Sequence, residues 1–230
     1  MEPRTAAQAA EDASAPPGAD ERFAGYGVMG VPFALGHVLA LRRFPVSTVG
    51  PAYSAVWIRD PAGRWTMAAS APPAQSCARY FGAAVELQVE APVEIAWTGA
   101  RELRVEVPAP VSLEWSLSLR ATPLTSAMSA ACAAIPDGVW RGRAFSRAMG
   151  LVAAGALRTG TLRLAGTTPN GHHFVARPRR VWLVEDSTAS LDGTALGRPA
   201  PLPQQAALGD FWLPQRGLFM AGWSAFATAS

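Results

Sequence analysis

Lysine is missing from this chain. All 20 of its basic residues are arginine, which removes the lysine Schiff base and the phosphate-loop lysine from the chemistry open to it. Cysteine is almost as scarce: Cys77 and Cys132 are the only two, too few to frame a disulfide-stapled fold. Charged residues are 16% of the chain and the net charge is +3, slight for a nucleic-acid surface, which needs a broad basic patch. The densest basic cluster, Arg177, Arg179 and Arg180, reads as a solvated strand entrance, so no nucleic-acid partner is expected. No apolar run is long enough for an integral membrane segment. Residues 1–22 mix acids with alanine and proline and hold no apolar signal core. They read as a disordered N-terminal tail on a cytoplasmic protein.

The common catalytic signatures are also absent. There is no G-x-S-x-G, no H-E-x-x-H and no C-x-x-C. Of the three histidines, His172 and His173 are adjacent in a predicted strand and point to opposite faces. Neither a metal nor a cofactor is expected. Gly25-x-Gly27-x-x-Gly30 has the spacing of a dinucleotide cradle, but its context is wrong. A polar tail precedes it, Pro32 and Gly36 interrupt the segment on its C-terminal side, and residues 45–56 hold no acid. These glycines are read as entering a sheet through tight turns.

What the chain does have is alternation. Val85, Leu87 and Val89 share one parity against Glu86, Gln88 and Glu90. The same pattern recurs in 93–97 and 103–107, and most clearly in 111–119, where Val111, Leu113, Trp115, Leu117 and Leu119 alternate with polar residues. Period two with one polar face predicts antiparallel strands. Turn residues separate them: Asp60-Pro61-Ala62-Gly63, Thr98-Gly99, Pro169-Asn170-Gly171 and Asp192-Gly193. About nine or ten short strands of this kind make a barrel or sandwich. Residues 123–158 depart from the pattern with helical spacing. Leu124, Met128, Ala131 and Ile135 form one stripe; Phe145, Met149, Val152 and Ala156 form another after Pro136-Asp137-Gly138. Arg143, Arg147 and Arg158 lie away from that stripe, so 139–158 could also touch a membrane surface.

Eight tryptophans stand out, several sharing parity with the apolar face of their strand. In a closed sheet they line the interior, as a solid core or as a slot for one apolar ligand. The ligand-binding candidates are Tyr53, Trp57, Trp97, Trp115, Trp182, Trp212 and Arg216. Two groups could move protons: His37, alone in an apolar stretch, and Asp210, beside Trp212 in an apolar turn where its pKa would rise. An Asp210–Arg216 corner pinning the last strand is the structural reading of the same residues. Cys77 is read as a buried thiol.

The many short strands, the helical interruption, "VSLEWSLSL" at 111–119 and the acid–tryptophan turn "GDFW" at 209–212 resemble the lipocalin-like domains of the carotenoid hydratase (hydroxyneurosporene synthase) and AttH-type family. The chain is also similar to a group of uncharacterised actinobacterial proteins. The family resemblance implies a barrel enclosing an apolar ligand, and in some members cofactor-independent hydration or cyclisation. The expected fold is mainly β: a single antiparallel, lipocalin-like β-barrel domain over 23–230 with a two-helix insertion at 123–158. The expected partner is a small apolar molecule of isoprenoid, polyketide or fatty-acyl type. A cofactor-independent isomerase, cyclase or hydratase in the same cavity is the alternative, with Asp210 or His37 as the acid. A non-catalytic interaction module with a filled barrel is the third reading. Oligomeric state is not legible.

Overall fold

The alternating segments become one curled sheet. In the computed structural model, which describes residues 1–140 and 142–228, two five-strand arms build it. The first comprises β1 (Glu21–Val28), β2 (Val38–Ser47), β3 (Tyr53–Arg59), β4 (Trp65–Ala69) and β5 (Leu87–Glu90). The second comprises β6 (Glu94–Trp97), β7 (Glu102–Val107), β8 (Leu113–Arg120), β9 (His173–Leu191) and β10 (Leu218–Ala227). Their spatial order is β5-β4-β3-β2-β1-β10-β9-β8-β7-β6, so the first and last strands of the chain join the arms. Three shorter strands, Val31–Pro32, Ala165–Thr167 and Thr194–Ala195, pair alongside. The pairs are antiparallel except β4 with β5. That parallel pair follows from its connection: residues 70–86 cross over the sheet through the short helix α1 (Ala78–Phe81) instead of turning back in a hairpin.

The path forces curvature. β5 and β6 occupy opposite edges, yet only Ala91, Pro92 and Val93 separate them in the chain. So short a link reaches at most about 14 Å, and the sheet curls until its edges are neighbours. Its concave face gathers one apolar cluster from both arms, including Leu41, Val56, Val105, Trp115, Trp182 and Phe219. Trp115 is fully buried there, and its indole N–H donates to Ser187 Oγ at 2.8 Å. The barrel interior is therefore packed with side chains.

Two further clusters lie on the convex face. Residues 71–85 and 199–213, the latter carrying the small hairpin of Ala207–Leu208 and Phe211–Trp212, cover β1–β4 and enclose Phe23, Tyr53, Trp57, Tyr80 and Phe81. The inserted helices α2 (Pro123–Ala134), α3 (Asp137–Trp140) and α4 (Arg143–Leu157) cover β9 and β10 over Trp140, Val181, Leu183 and Met220. Among the described residues the insertion thus holds three helices where the spacing suggests two, because Asp137-Gly138 begins a short turn of its own. Its buried faces are also rotated from the expected stripes. In α2 the buried residues are Thr125, Ser129 and Cys132, while Leu124 is exposed. Ser129 Oγ accepts the Val181 N–H at 3.0 Å, so a polar contact to the sheet orients this helix. In α4 the buried face is Ser146, Gly150, Ala153 and Leu157, mostly small residues that let the helix approach closely.

The N-terminal segment, whose composition suggests disorder, forms a helix at Pro3–Glu11 with Ala6 and Ala7 buried on the sheet. Glu11 bonds Arg43 at 2.7 Å and accepts from Tyr26 Oη at 3.0 Å, and Glu2 pairs with Arg101 at 2.6 Å. Small alanines carry little hydrophobic signal, but they pack where larger side chains could not.

Gly25 and Gly27 sit within β1, not in turns. Gly25 faces Gly222 of β10. A Cβ on Gly25 would fall on the Arg43 carbonyl, and one on Gly222 on the Arg177 carbonyl. Each glycine lies beside a register slip next to a proline: Phe44 and Pro45 bulge on β2, and Arg179 after Pro178 bulges on β9. Bulges bend strands and increase twist, and here they need backbone closer than any side chain permits.

Gly222→Val is therefore expected to lose about 3 kcal/mol of stability. Gly155→Ala, on the exposed side of α4 with open space at its Cα, is expected to gain about 0.5–1 kcal/mol; urea unfolding of both variants checks the pair. Acid should also loosen the fold. Arg79 beside Glu21 and Arg43 beside Glu11 hold both carboxyls below their ordinary value of 4.5. Folded values below unfolded ones stabilise above the unfolded pKa, and that contribution is lost as pH falls through the folded values. Wild type should lose stability more steeply than Glu21→Gln as pH drops below about 4.5, as followed by thermal melts.

Candidate functional site

A cavity of about 90 Å³ opens where the two convex-face clusters meet. Its lining joins aromatic rings under the 71–85 and 199–213 segments to Met220 and Trp223 at the helical side. Gly25, Gly222 and Ala221 also line it. The fold explains the space: the paired glycines that allow the two bulges leave no side chains at the seam. The rings of the wall pack on one another. Trp57 packs against Phe81 at 4.8 Å and Phe211 at 5.5 Å between ring centroids. Tyr80 stacks on Phe226 at 3.9 Å, and its hydroxyl is tied to Glu21 at 2.7 Å.

Arg42 is the charged centre of this apolar site. The alternation of β2 places it on the convex face, opposite in parity to Leu39 and Leu41 in the barrel interior. Only 5% of it is exposed. Its guanidinium carbon lies 4.7 Å from the Trp57 ring and 5.3 Å from Phe211, within cation–π range. Nη1 donates to the carbonyls of Val28 and Leu41, each at 2.7 Å. Nη2 is buried with no hydrogen-bond partner among the described residues. Burial lowers the pKa to about 10, with Cys77 and Tyr53 opposing the shift; the group is still a cation at neutral pH. No aspartate or glutamate is among the described residues lining the cavity.

Other polar groups in the wall keep their protons. Tyr53 Oη lies 3.4 Å from Cys77 Sγ, and both are buried. Burial pushes the Tyr53 phenol well above its ordinary value. The Cys77 thiol is also pushed up by burial, although Tyr53, Arg42 and the Trp57 indole favour its ionised form. Trp57 Nε1, close to this sulfur, makes no hydrogen bond of normal geometry. Trp223 Nε1 and Ser224 Oγ are likewise buried without partners among the described residues. Arg177, the second arginine in the lining, is engaged: it pairs with Asp137, and its Nη2 donates to the Ile135 carbonyl at 2.8 Å.

The candidates named from sequence separate cleanly. Tyr53 and Trp57 line the cavity. Trp97, Trp115 and Trp182 lie with the barrel interior instead, Trp97 and Trp182 touching Phe219 at 5.8 Å each. Trp212 is half-buried in the small hairpin, and Arg216 is exposed; neither is part of the lining. Asp210 also stands outside the cavity. It pairs with Arg163, not Arg216, and accepts the Thr167 N–H at 3.0 Å, tying the hairpin to the Ala165–Thr167 strand. His37 sits in the loop before β2, where burial lowers its pKa. Sequence reasoning missed Arg42. Its one signal is parity: an arginine continuing the Val38, Ala40 face of a strand that is apolar on both sides. Among the described residues, no three histidine, cysteine or acidic side chains come together as metal ligands, and no helix is long and apolar enough to cross a membrane.

No family model and no curated protein match the chain, so the resemblance to the carotenoid hydratase and AttH-type family holds for a lipocalin-like barrel and no further. Among solved structures, acetoacetate decarboxylase from Legionella pneumophila is similar at a TM-score of 0.43 and 11% identity, over 94% of this chain and 88% of that one. At so low a score the chemistry of the site rests on its own residues. The chain is a mainly β protein built on a curled, mostly antiparallel, lipocalin-like barrel sheet.

Proposed function

We propose that the protein binds a small, largely apolar molecule in the cavity between the convex face of the sheet and its covering segments. The observation that carries this reading is a preformed space walled by Tyr53, Trp57, Phe81, Phe174, Phe211 and Phe226 and floored by glycine. Ligand sites are typically concave, mostly apolar and provided with a few placed polar groups. Aromatic walls supply area at low entropic cost, and rings already locked against one another leave little ordering to be done on binding.

The packed barrel interior directs the proposal to the convex face, with Tyr53 and Trp57 retained from the sequence candidates. Binding is favoured over catalysis because Asp210 and His37 stand outside the lining, while Tyr53 and Cys77 hold their protons at neutral pH. Size limits the ligand. A cavity of about 90 Å³ is below the volume of about 150 Å³ that accepts benzene in an engineered core, so the ligand is a single ring or a short branched chain at most, smaller than a whole isoprenoid or a long fatty acyl chain.

Titration with small aromatic and short aliphatic compounds, followed by tryptophan fluorescence, tests the reading. Saturable quenching is expected, reduced in Trp57→Phe and lost when Trp223, the other lining indole, is replaced as well. Ala176→Phe, which fills the cavity from β9, should weaken binding by about tenfold or more. Affinity untouched by Ala176→Phe would place any binding elsewhere.

A further inference from the structure

We infer that the ligand is a small monocarboxylate, its apolar body held by the aromatic walls and its carboxylate received by Arg42 Nη2. The inference rests on the proposed cavity and deepens that proposal by assigning the polar end of the ligand.

An ionised group buried without a counter-ion is among the most expensive features a fold can carry. Arg42 is such a group: it is only 5% exposed, and no carboxylate among the described lining residues answers it. The two carbonyls bonded to Nη1 fix the guanidinium in place, and the Trp57 and Phe211 faces soften the charge. Neither neutralises it, and Nη2 still has hydrogens with no acceptor. A strand residue held this firmly, with one buried nitrogen at the cavity wall left without an acceptor among the described residues, is preorganised for a ligand's acceptor.

The other unpartnered groups point the same way. Trp223 Nε1 is a donor only and has no acceptor among the described residues, and Trp57 Nε1 has the Cys77 sulfur nearby but makes no hydrogen bond of normal geometry. Donors in excess, one fixed cation and apolar walls together match an anion with an apolar body. Charge sets its valence: of the two arginines in the described lining, Arg42 is the one without a protein counter-ion. A monoanion balances it, and a phosphate dianion would leave excess charge buried. The adjoining cleft has the same sign. It shares Gly25, Ala221, Gly222 and Trp223 with the cavity and is lined by Arg179 and Arg180 as well as Asp137. That acid is already paired with Arg177 and lies 3.8 Å from Arg179, leaving this neighbouring cleft net positive.

Benzoate and benzamide make the matched probes, alike in shape and different in charge. Calorimetry on the full chain at pH 7 should show benzoate binding about tenfold or more tighter than benzamide, since a hydrogen bond to a charged acceptor is worth more than one to a neutral acceptor. In Arg42→Met the ratio should fall to about one, with benzoate losing far more affinity than benzamide. Equal affinities in wild type would overturn the carboxylate assignment and leave the apolar cavity standing. A benzoate preference that survives Arg42→Met would overturn the role of Arg42. Failure of wild type to bind either probe, or any of the straight-chain acids from acetate to pentanoate, would overturn the cavity reading and this inference with it. Should Arg42→Met not fold, the wild-type ratio alone still decides for or against the carboxylate.

Discussion

The pairing of β1 with β10 across Gly25 and Gly222 holds the whole molecule together. It joins the first strand of the chain to the last and so makes one sheet of two meandering arms. Sequence-distant pairing of this kind is costly in chain entropy, and the ladder that compensates for it runs from Glu21–Phe226 to Val28–Phe219. The two glycines also admit the flanking bulges. Those bulges turn the strands so that the convex face splits into two apolar clusters with a seam between them. The paired glycines thus leave the cavity space at the seam, while the short β5–β6 link draws the edges of the sheet together.

Within that cavity two kinds of stability oppose each other. The aromatic wall is ordinary core, with rings in edge and stacked contacts that disfavour water. Arg42 works against it, because its burial forfeits hydration that the Val28 and Leu41 carbonyls replace only at Nη1. Folds retain such a charge where something offsets it, and perturbed groups in clefts cluster at functional sites for this reason. The neighbouring Tyr53–Cys77 pair stays neutral in the same surroundings. The site therefore presents one fixed positive centre in a dry setting, where electrostatic interactions gain strength.

The ion pairs at the periphery serve a different end. Glu11 with Arg43, Glu2 with Arg101 and Glu21 with Arg79 are partly or well exposed, and pairs of this type contribute modestly. Their value is positional. They dock the N-terminal helix on the sheet, and they hold Tyr80 against Phe226 at the cavity wall.

Much of the architecture was legible in local pattern. Period-two alternation in 103–107 and 111–119 marks β7 and β8 because a strand with one wet face must alternate. Asp192 and Gly193 both take positive φ, the conformation that a tight hairpin turn needs and that these residue types tolerate. The helical segment was legible too, but its buried faces were not, since Ser129 and Gly150 are chosen by what lies across from them. The same limit governs the site. Tyr53 and Trp57 could be named from sequence as large aromatics on an apolar strand face, yet Trp97, Trp115 and Trp182 satisfy the same description and fill the barrel. Which face of a doubly buried strand meets a packed interior and which meets a seam depends on how ten strands curl, a non-local property. The alternation, the turns and the strand-rich class are properties of neighbouring residues, so the chain carries them in its order alone. It took the curled sheet to bring glycines 25 and 222 together, to leave the space beside them open, and to bury Arg42 there without a counter-ion among the described residues.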